Sequence, residues 1–399
     1  MSQIIALTLV SFILFAGEAV STATKAWVPS VFVSAVLFII GYWTFFPNDM
    51  VTLAGISPAV ATMGMYFLIT NMGTMLSMKE LAEQWRTIVI ALCGILGIVA
   101  ALMTVGVAIF DWQTMVTVTP PLVGGVVSSL IMKEAALSHG YHKLAVLAVS
   151  IYVLQGFAGY PLTAYMLKKE AQEVLKRIRQ GQWEESLSAP SSESAPAKDT
   201  QERPKLFTWL PAPFHSTFFI LFRLTIVGLL AYLTSKGLAP YANVNALVLC
   251  LVFGVLAKSI GWLESQPLNQ ANGFGLSLFI LMAFIFDGLK DATPSMLTDL
   301  IGPIVGTVVI GVSGMALTSW VFGRLLKVSP RLAFSISLTA LYGFPANYII
   351  TKEVIDSVTQ DDKERTLLTD YLMSPMLVGG FVTVTMVSVV LAGIFVSLY

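Results

Sequence analysis

The stretch TPPLVGGVVSSLIMKEAALS, Thr119 to Ser138, interrupts an apolar run with two prolines and two glycines, then resumes and carries a Lys-Glu pair. A later stretch, ALYGFPANYIITKEVIDS from Ala340 to Ser357, follows the same plan. Gly343 and Pro345 make the break there, and Lys352–Glu353 follow it. The two Lys-Glu pairs, at 133 and 352, stand 219 positions apart, about half of the 399-residue chain. Proline removes a backbone donor and glycine relaxes the backbone, so each stretch reads as a broken helix. A repeated break in so apolar a chain sets the fold.

The chain is 56% hydrophobic and 12% charged. Soluble domains carry roughly a quarter charged residues. Apolar runs of about twenty residues, the length a helix needs to cross a bilayer, recur along the sequence. The expected class is therefore an all-α integral membrane protein. A net charge of zero and the lack of a basic domain give nucleic acid no purchase. Cys93 and Cys250 fall inside apolar runs and read as packing residues rather than a disulfide. The first run, from Ile4 to Thr24, lacks a basic leader and contains Glu18, so it reads as a permanent span.

Twelve apolar segments begin near Ile4, Trp27, Ile56, Thr87, Met115, Leu144, Phe214, Val244, Phe274, Ile301, Leu332 and Leu368. Between the sixth and seventh lies a polar stretch, 168–210. It opens as a helical extension, KKEAQEVLKRIRQGQ, and continues as a Ser/Pro/Glu-rich linker. Basic residues collect in cytoplasmic loops, which tests whether all twelve cross. Twelve crossings split Lys and Arg twelve against ten. If the fifth and eleventh segments dip in and return, eighteen lie inside, and only Lys133, Lys143, Lys236 and Lys290 lie outside. The second topology is preferred. It has ten crossing helices and two re-entrant hairpins, near 115–138 and 331–357, with both termini outside and the linker cytoplasmic. Each half, 1–167 and 211–399, then holds five spans and one hairpin. Five is odd, so the halves are inverted repeats.

Broken helices inside a bilayer must be buried in protein or line a wet cavity. Their free N–H groups suit a carboxylate, and freed carbonyls and hydroxyls suit a small hard cation. Such interruptions mark the binding sites of many secondary transporters. Gly124, Gly125, Ser128 and Ser129 form the first tip; Thr339, Tyr342, Gly343 and Asn347 form the second. These eight are the candidate substrate ligands, although Gly and Ser also serve close helix packing in membranes. Asn71 and Asp287 are candidate cation ligands, with a polar helix contact and an interfacial helix end as the competing readings. Lys133, Glu134, Lys352 and Glu353 either line a pathway or snorkel to water. His139 and His142 lack an evident third ligand, which argues against a metal site.

The five-plus-five plan with two hairpins resembles the bacterial glutamate/sodium symporter family. GLSLFILMAFIFDGLKD, Gly275 to Asp291, is similar to the start of the family's second-half core. ALYGFPANYIITKEVI is similar to its second hairpin, and WVPSV before the second span resembles its Ile-Pro entry. The family's first hairpin carries a His between glycines, where this chain has LVGGVVSSLIMKEAALS, and no acidic residue follows Pro29. The resemblance therefore implies fold and coupling rather than glutamate itself. It further implies a homodimer in the bacterial inner membrane, a hairpin-bearing core sliding against a scaffold, and sodium as the coupling ion.

The expected function is cation-coupled symport, by sodium or protons, of a small organic anion such as an amino acid or carboxylate. No cofactor is expected. A membrane enzyme would need a nucleophile–base or metal constellation, and the sequence displays none. A channel usually places its dipping segments around one symmetric pore, whereas this chain carries its own inverted pair.

Overall fold

The computed structural model describes residues 1–75, 84–180, 205–207, 216–238, 246–291 and 294–399. Lys79 and the Ser/Pro-rich middle of the linker lie outside the described residues. All twelve apolar segments contain helix, and no strand occurs among the described residues. The first half holds α1 (Gln3–Ala23), α2 (Ser30–Thr44), α3 (Pro58–Met75) and α4 (Trp85–Ile109). Segment five is split into α5 (Trp112–Val123) and α6 (Val126–Ser138), and segment six into α7 (His142–Leu154) and α8 (Gly156–Arg179). The helical extension expected at Lys168 is the end of α8. The second half holds α9 (Thr217–Leu238), α10 (Ala246–Ser259), α11 (Phe274–Asp287) and α12 (Pro294–Leu325). Segment eleven gives α13 (Pro330–Leu338), one 3-10 turn (Thr339–Leu341) and α14 (Ala346–Val358). Segment twelve gives α15 (Asp362–Phe381), a π-helical stretch (Val382–Val387) and α16 (Ser388–Val396).

Local chemistry explains where several helices start. Asp111 caps α5 by accepting from Thr114 N at 2.8 Å, and Asp361 caps α15 through Lys363 N and Glu364 N at 2.9 and 3.0 Å. Pro58, Pro294 and Pro330 open α3, α12 and α13, where a missing N–H costs nothing.

Among the described residues, six helical stretches are long and apolar enough to cross a membrane, so the chain is a multi-pass membrane protein. They are Gln3–Ala23, Trp85–Ile109, His142–Arg179, Thr217–Leu238, Leu300–Leu325 and Asp362–Val384. Neither broken segment is among them, and neither are α2, α3, α10 and α11, four of the ten helices expected to cross. The arms of the broken segments are 12, 13, 9 and 13 residues long. At about 1.5 Å per residue, even the longest arm falls short of a hydrocarbon core of about 30 Å.

The chain folds into two compact units. The first is drawn from Met1–Met50, Gln84–Glu184 and Phe286–Tyr399, and holds both broken segments. Its core joins Ile95, Ile98, Leu102, Met115, Leu122, Leu147, Ile151, Met315 and Leu338, all buried. Helices α4 and α12 meet backbone to backbone: a methyl group on Gly97 or Gly314 would run into the other's carbonyl oxygen. Ser319 Oγ donates to Ser337 Oγ at 2.8 Å, linking α12 to α13.

The second unit is drawn from Val51–Glu83 and Glu185–Ile285. Here α3 packs on α10 through Gly73 and Gly254, again with no room for a side chain. Arg223 of α9 is fully buried; it donates to Trp262 O at 2.9 Å and pairs with buried Glu264. Phe219 covers the guanidinium, its ring centre 4.6 Å away. Cys93 and Cys250 are buried free thiols, in keeping with their reading as packing residues.

Candidate functional site

The two breaks are built differently. Pro120 and Pro121 sit in the last turn of α5, and Gly124 follows at φ 113° and ψ 163°, a conformation essentially confined to glycine. Ser128 Oγ lies 2.7 Å from Gly124 O and 2.8 Å from Gly125 O, so its hydroxyl serves carbonyls that the break frees. Ser129 is buried beside it. In the second break Gly343, at φ 67°, donates its N–H to Thr339 O at 2.8 Å, and the Phe344–Pro345 peptide is cis. Thr339 Oγ1 donates to Ile336 O, and Asn347 N to Gly343 O at 3.2 Å. Asn347 Nδ2 donates to Met376 O at 2.8 Å while its Oδ1 accepts from Tyr348 N at 2.8 Å. Tyr342 OH donates to Thr163 Oγ1 of α8 at 2.7 Å.

Each broken segment doubles back on itself. At the start of α5, Trp112 Nε1 donates to Leu398 O at 3.2 Å, and the Thr117 hydroxyl bonds that of Tyr399. At the end of α6, the His139 ring stacks on the same Tyr399, centroids 4.9 Å apart, and Tyr141 lies beside it at 6.1 Å. The second segment is anchored along α8. Ser329, just before α13, donates to Glu170 at 2.6 Å, while Tyr342 at the break reaches Thr163. Glu364, just past α14, pairs with Arg179 at 2.8 Å. So α13 runs against the direction of α8, and α14 returns along it.

The two breaks meet. A Cβ on Gly124 would strike the Ala340 carbonyl oxygen and come within 3.3 Å of Val384 Cγ2. One on Gly343 would lie 2.8 Å from that same methyl carbon, and one on Gly125 would lie 3.0 Å from Val384 O. Val384 belongs to the π-helical stretch of segment twelve, an irregularity frequent at functional sites. Gly124, Gly125 and Gly343 thus gather around one residue. The smooth face formed by Gly379 and Gly380 receives Thr339 and Asn347.

The remaining candidates lie elsewhere. Asn71 belongs to the second unit, where its Oδ1 accepts from Leu268 N at 2.8 Å and its Nδ2 donates to Asn269 at 3.3 Å. Both ends of its carboxamide are therefore engaged in helix contacts. Asp287 pairs with Lys290 at 2.6 Å and accepts from Tyr42 OH at 3.2 Å, so a cation of the chain's own already faces it. Lys133, Glu134 and Lys352 are exposed. Glu353 differs. Its Oε2 accepts from Ser21 Oγ at 2.8 Å and Ser30 N at 3.1 Å, which ties α14 to the turn between α1 and α2. Among the described residues no group of three His, Cys, Asp or Glu is placed to hold a metal.

Sequence reasoning missed three contributors: Val384, Tyr399 and the Gly379–Gly380 pair. Only the glycine pair carried a local signal, as the second Gly-Gly pair in the sequence, after Gly124–Gly125. A scan against protein-family models finds none that matches this chain, and a search of curated proteins finds no relative.

Proposed function

We propose that this protein is a cation-coupled secondary transporter of a small organic anion, held between the tips of two re-entrant hairpins. The observation that carries the reading is the convergence of both breaks on Val384. There α6 begins just past Gly125 and α14 just past Gly343, the glycines that close on Val384, and helix N-termini favour a carboxylate through free N–H groups and a partial positive charge.

The surroundings support opposite insertion. The first mouth lies at Tyr399, on the side expected to be external. The second lies by Glu170 and Arg179 of α8, at the basic, cytoplasmic end of that helix. Ten crossings with both termini outside account for the two mouths and for the eighteen-to-four charge bias. Packing pairs also recur in equivalent places: α1 with α2 and α9 with α10; α8 with the arms of segment eleven and α16 with the arms of segment five. Inverted repeats produce that recurrence. A bacterial inner membrane, sodium as the ion and a homodimer complete the proposal on the family resemblance.

Purified protein in proteoliposomes tests it. Saturable uptake of an amino acid or dicarboxylate that requires an imposed sodium or proton gradient supports the reading. Non-saturating flux without a gradient defeats it in favour of a channel. Ser129→Ala and Asn347→Ala should each raise the half-saturation concentration without loss of membrane insertion.

A further inference from the structure

Segment six crosses from one broken segment to the other. Its first helix, α7, packs on α5 and α6, and its second, α8, packs on α13 and α14. The changeover falls at Gln155, between Leu154 and Gly156. Segment twelve makes the opposite crossing: α15 packs on α13 and α14, and α16 on α5 and α6. Its changeover is the π-helical stretch with Val384, the residue both breaks touch. Gln155 is thus the counterpart, in the first half, of the residue at the meeting point.

Gln155 keeps helical dihedrals, φ −57° and ψ −31°, so the residues four and eight positions on share its face. Those residues are Gly159 and Thr163. A Cβ on Gly159 would lie 2.7 Å from Tyr342 Cδ1 and 3.1 Å from Leu341 Cβ, and Thr163 accepts from Tyr342 OH. Gln155 therefore faces the second break, one turn beyond Gly159. It is 1% exposed, and its Oε1 is buried without a hydrogen-bond partner. Native proteins seldom leave a buried acceptor unpaired, so Oε1 of Gln155 has an open place for a donor.

We propose that Gln155 is a specificity-determining residue of the transport site: its carboxamide oxygen accepts a hydrogen bond from an N–H or O–H group on the solute. The proposal rests on the transport reading above and deepens it. The helix N-termini at the two breaks attract the anionic end of the solute. Gln155 then selects solutes that also carry a donor. A site that leaves a buried polar group unpaired rejects the analogue lacking the matching group.

The test uses matched competitors of tracer uptake in proteoliposomes: L-aspartate, L-malate and succinate, and L-glutamate against glutarate. Wild-type protein should prefer the amino- or hydroxy-bearing member of each set by at least about tenfold. Gln155→Leu should bring that preference near unity and raise KM, with the sodium half-saturation unchanged. Gln155→Glu, which retains an acceptor oxygen, should keep the preference. Three results would overturn the proposal: a preference intact in Gln155→Leu, a change confined to sodium dependence, or equal loss of Vmax in both variants with selectivity retained. Absence of any gradient-driven uptake by the wild type would overturn the transport reading, and this inference with it.

Discussion

Replacing Gly124 by alanine adds one methyl group where the two breaks meet, and its effect can be divided in advance. The first part is conformational: a non-glycine residue in this φ/ψ region costs about 1–3 kcal/mol. The second is steric, because the new carbon runs into the Ala340 carbonyl and sits 3.3 Å from Val384 Cγ2. Overpacking of this kind costs about 1–3 kcal/mol. The steric part vanishes when the tips separate, so it acts on the converged state alone. At 1.4 kcal/mol per tenfold, it lowers that state's population about 5- to 150-fold. Gly140→Ala is the control. Gly140 also has a positive φ, 80°, but a Cβ there meets nothing within 4 Å, so the variant carries backbone strain alone. Proteoliposome uptake should fall at least fivefold further in Gly124→Ala than in Gly140→Ala. Thermal unfolding of the purified variants separates misfolding from loss of transport. Equal uptake in the two variants would refute the claim that converged tips matter to the cycle.

Cysteines at positions 114 and 141 should react with an impermeant reagent from the same side of the membrane, because both ends of segment five lie beside Tyr399; labelling from opposite sides would make the segment an ordinary crossing. Glu353→Ala strands the Ser30 N–H and the Ser21 hydroxyl and should cost about 1–3 kcal/mol, while Glu353→Gln, which retains an acceptor, should cost less than half of that in thermal unfolding. Arg223→Leu leaves Glu264 charged and buried and should destabilise by about 3–5 kcal/mol; the double variant Arg223→Leu/Glu264→Met should recover most of the loss, as judged by the same unfolding measurement.

Sequence revealed whatever depends on local backbone chemistry. Pro120, Pro121, Gly124, Gly125, Gly343 and Pro345 mark both breaks because each restricts or frees the chain at its own position. All twelve apolar segments were visible for the same reason, since hydropathy is a local sum. The partners were not. Glu353 finds Ser21 across 332 positions, and Thr117 finds Tyr399 across 282. Asn71 carried no local mark separating a cation ligand from the helix contact it makes with Leu268. Gln155 was equally silent, as a single amide in an apolar run. Its distinction comes from the helices on either side and from an oxygen left without a donor.

The glycine seam between α4 and α12 has a mechanical consequence. Side chains normally act as bearings, because rotamers can adjust while helices slip past one another. At Gly97 and Gly314 there are no such bearings, and one main chain rests directly on the other. The two helices therefore form a single beam, and bending of this unit is left to joints elsewhere in it.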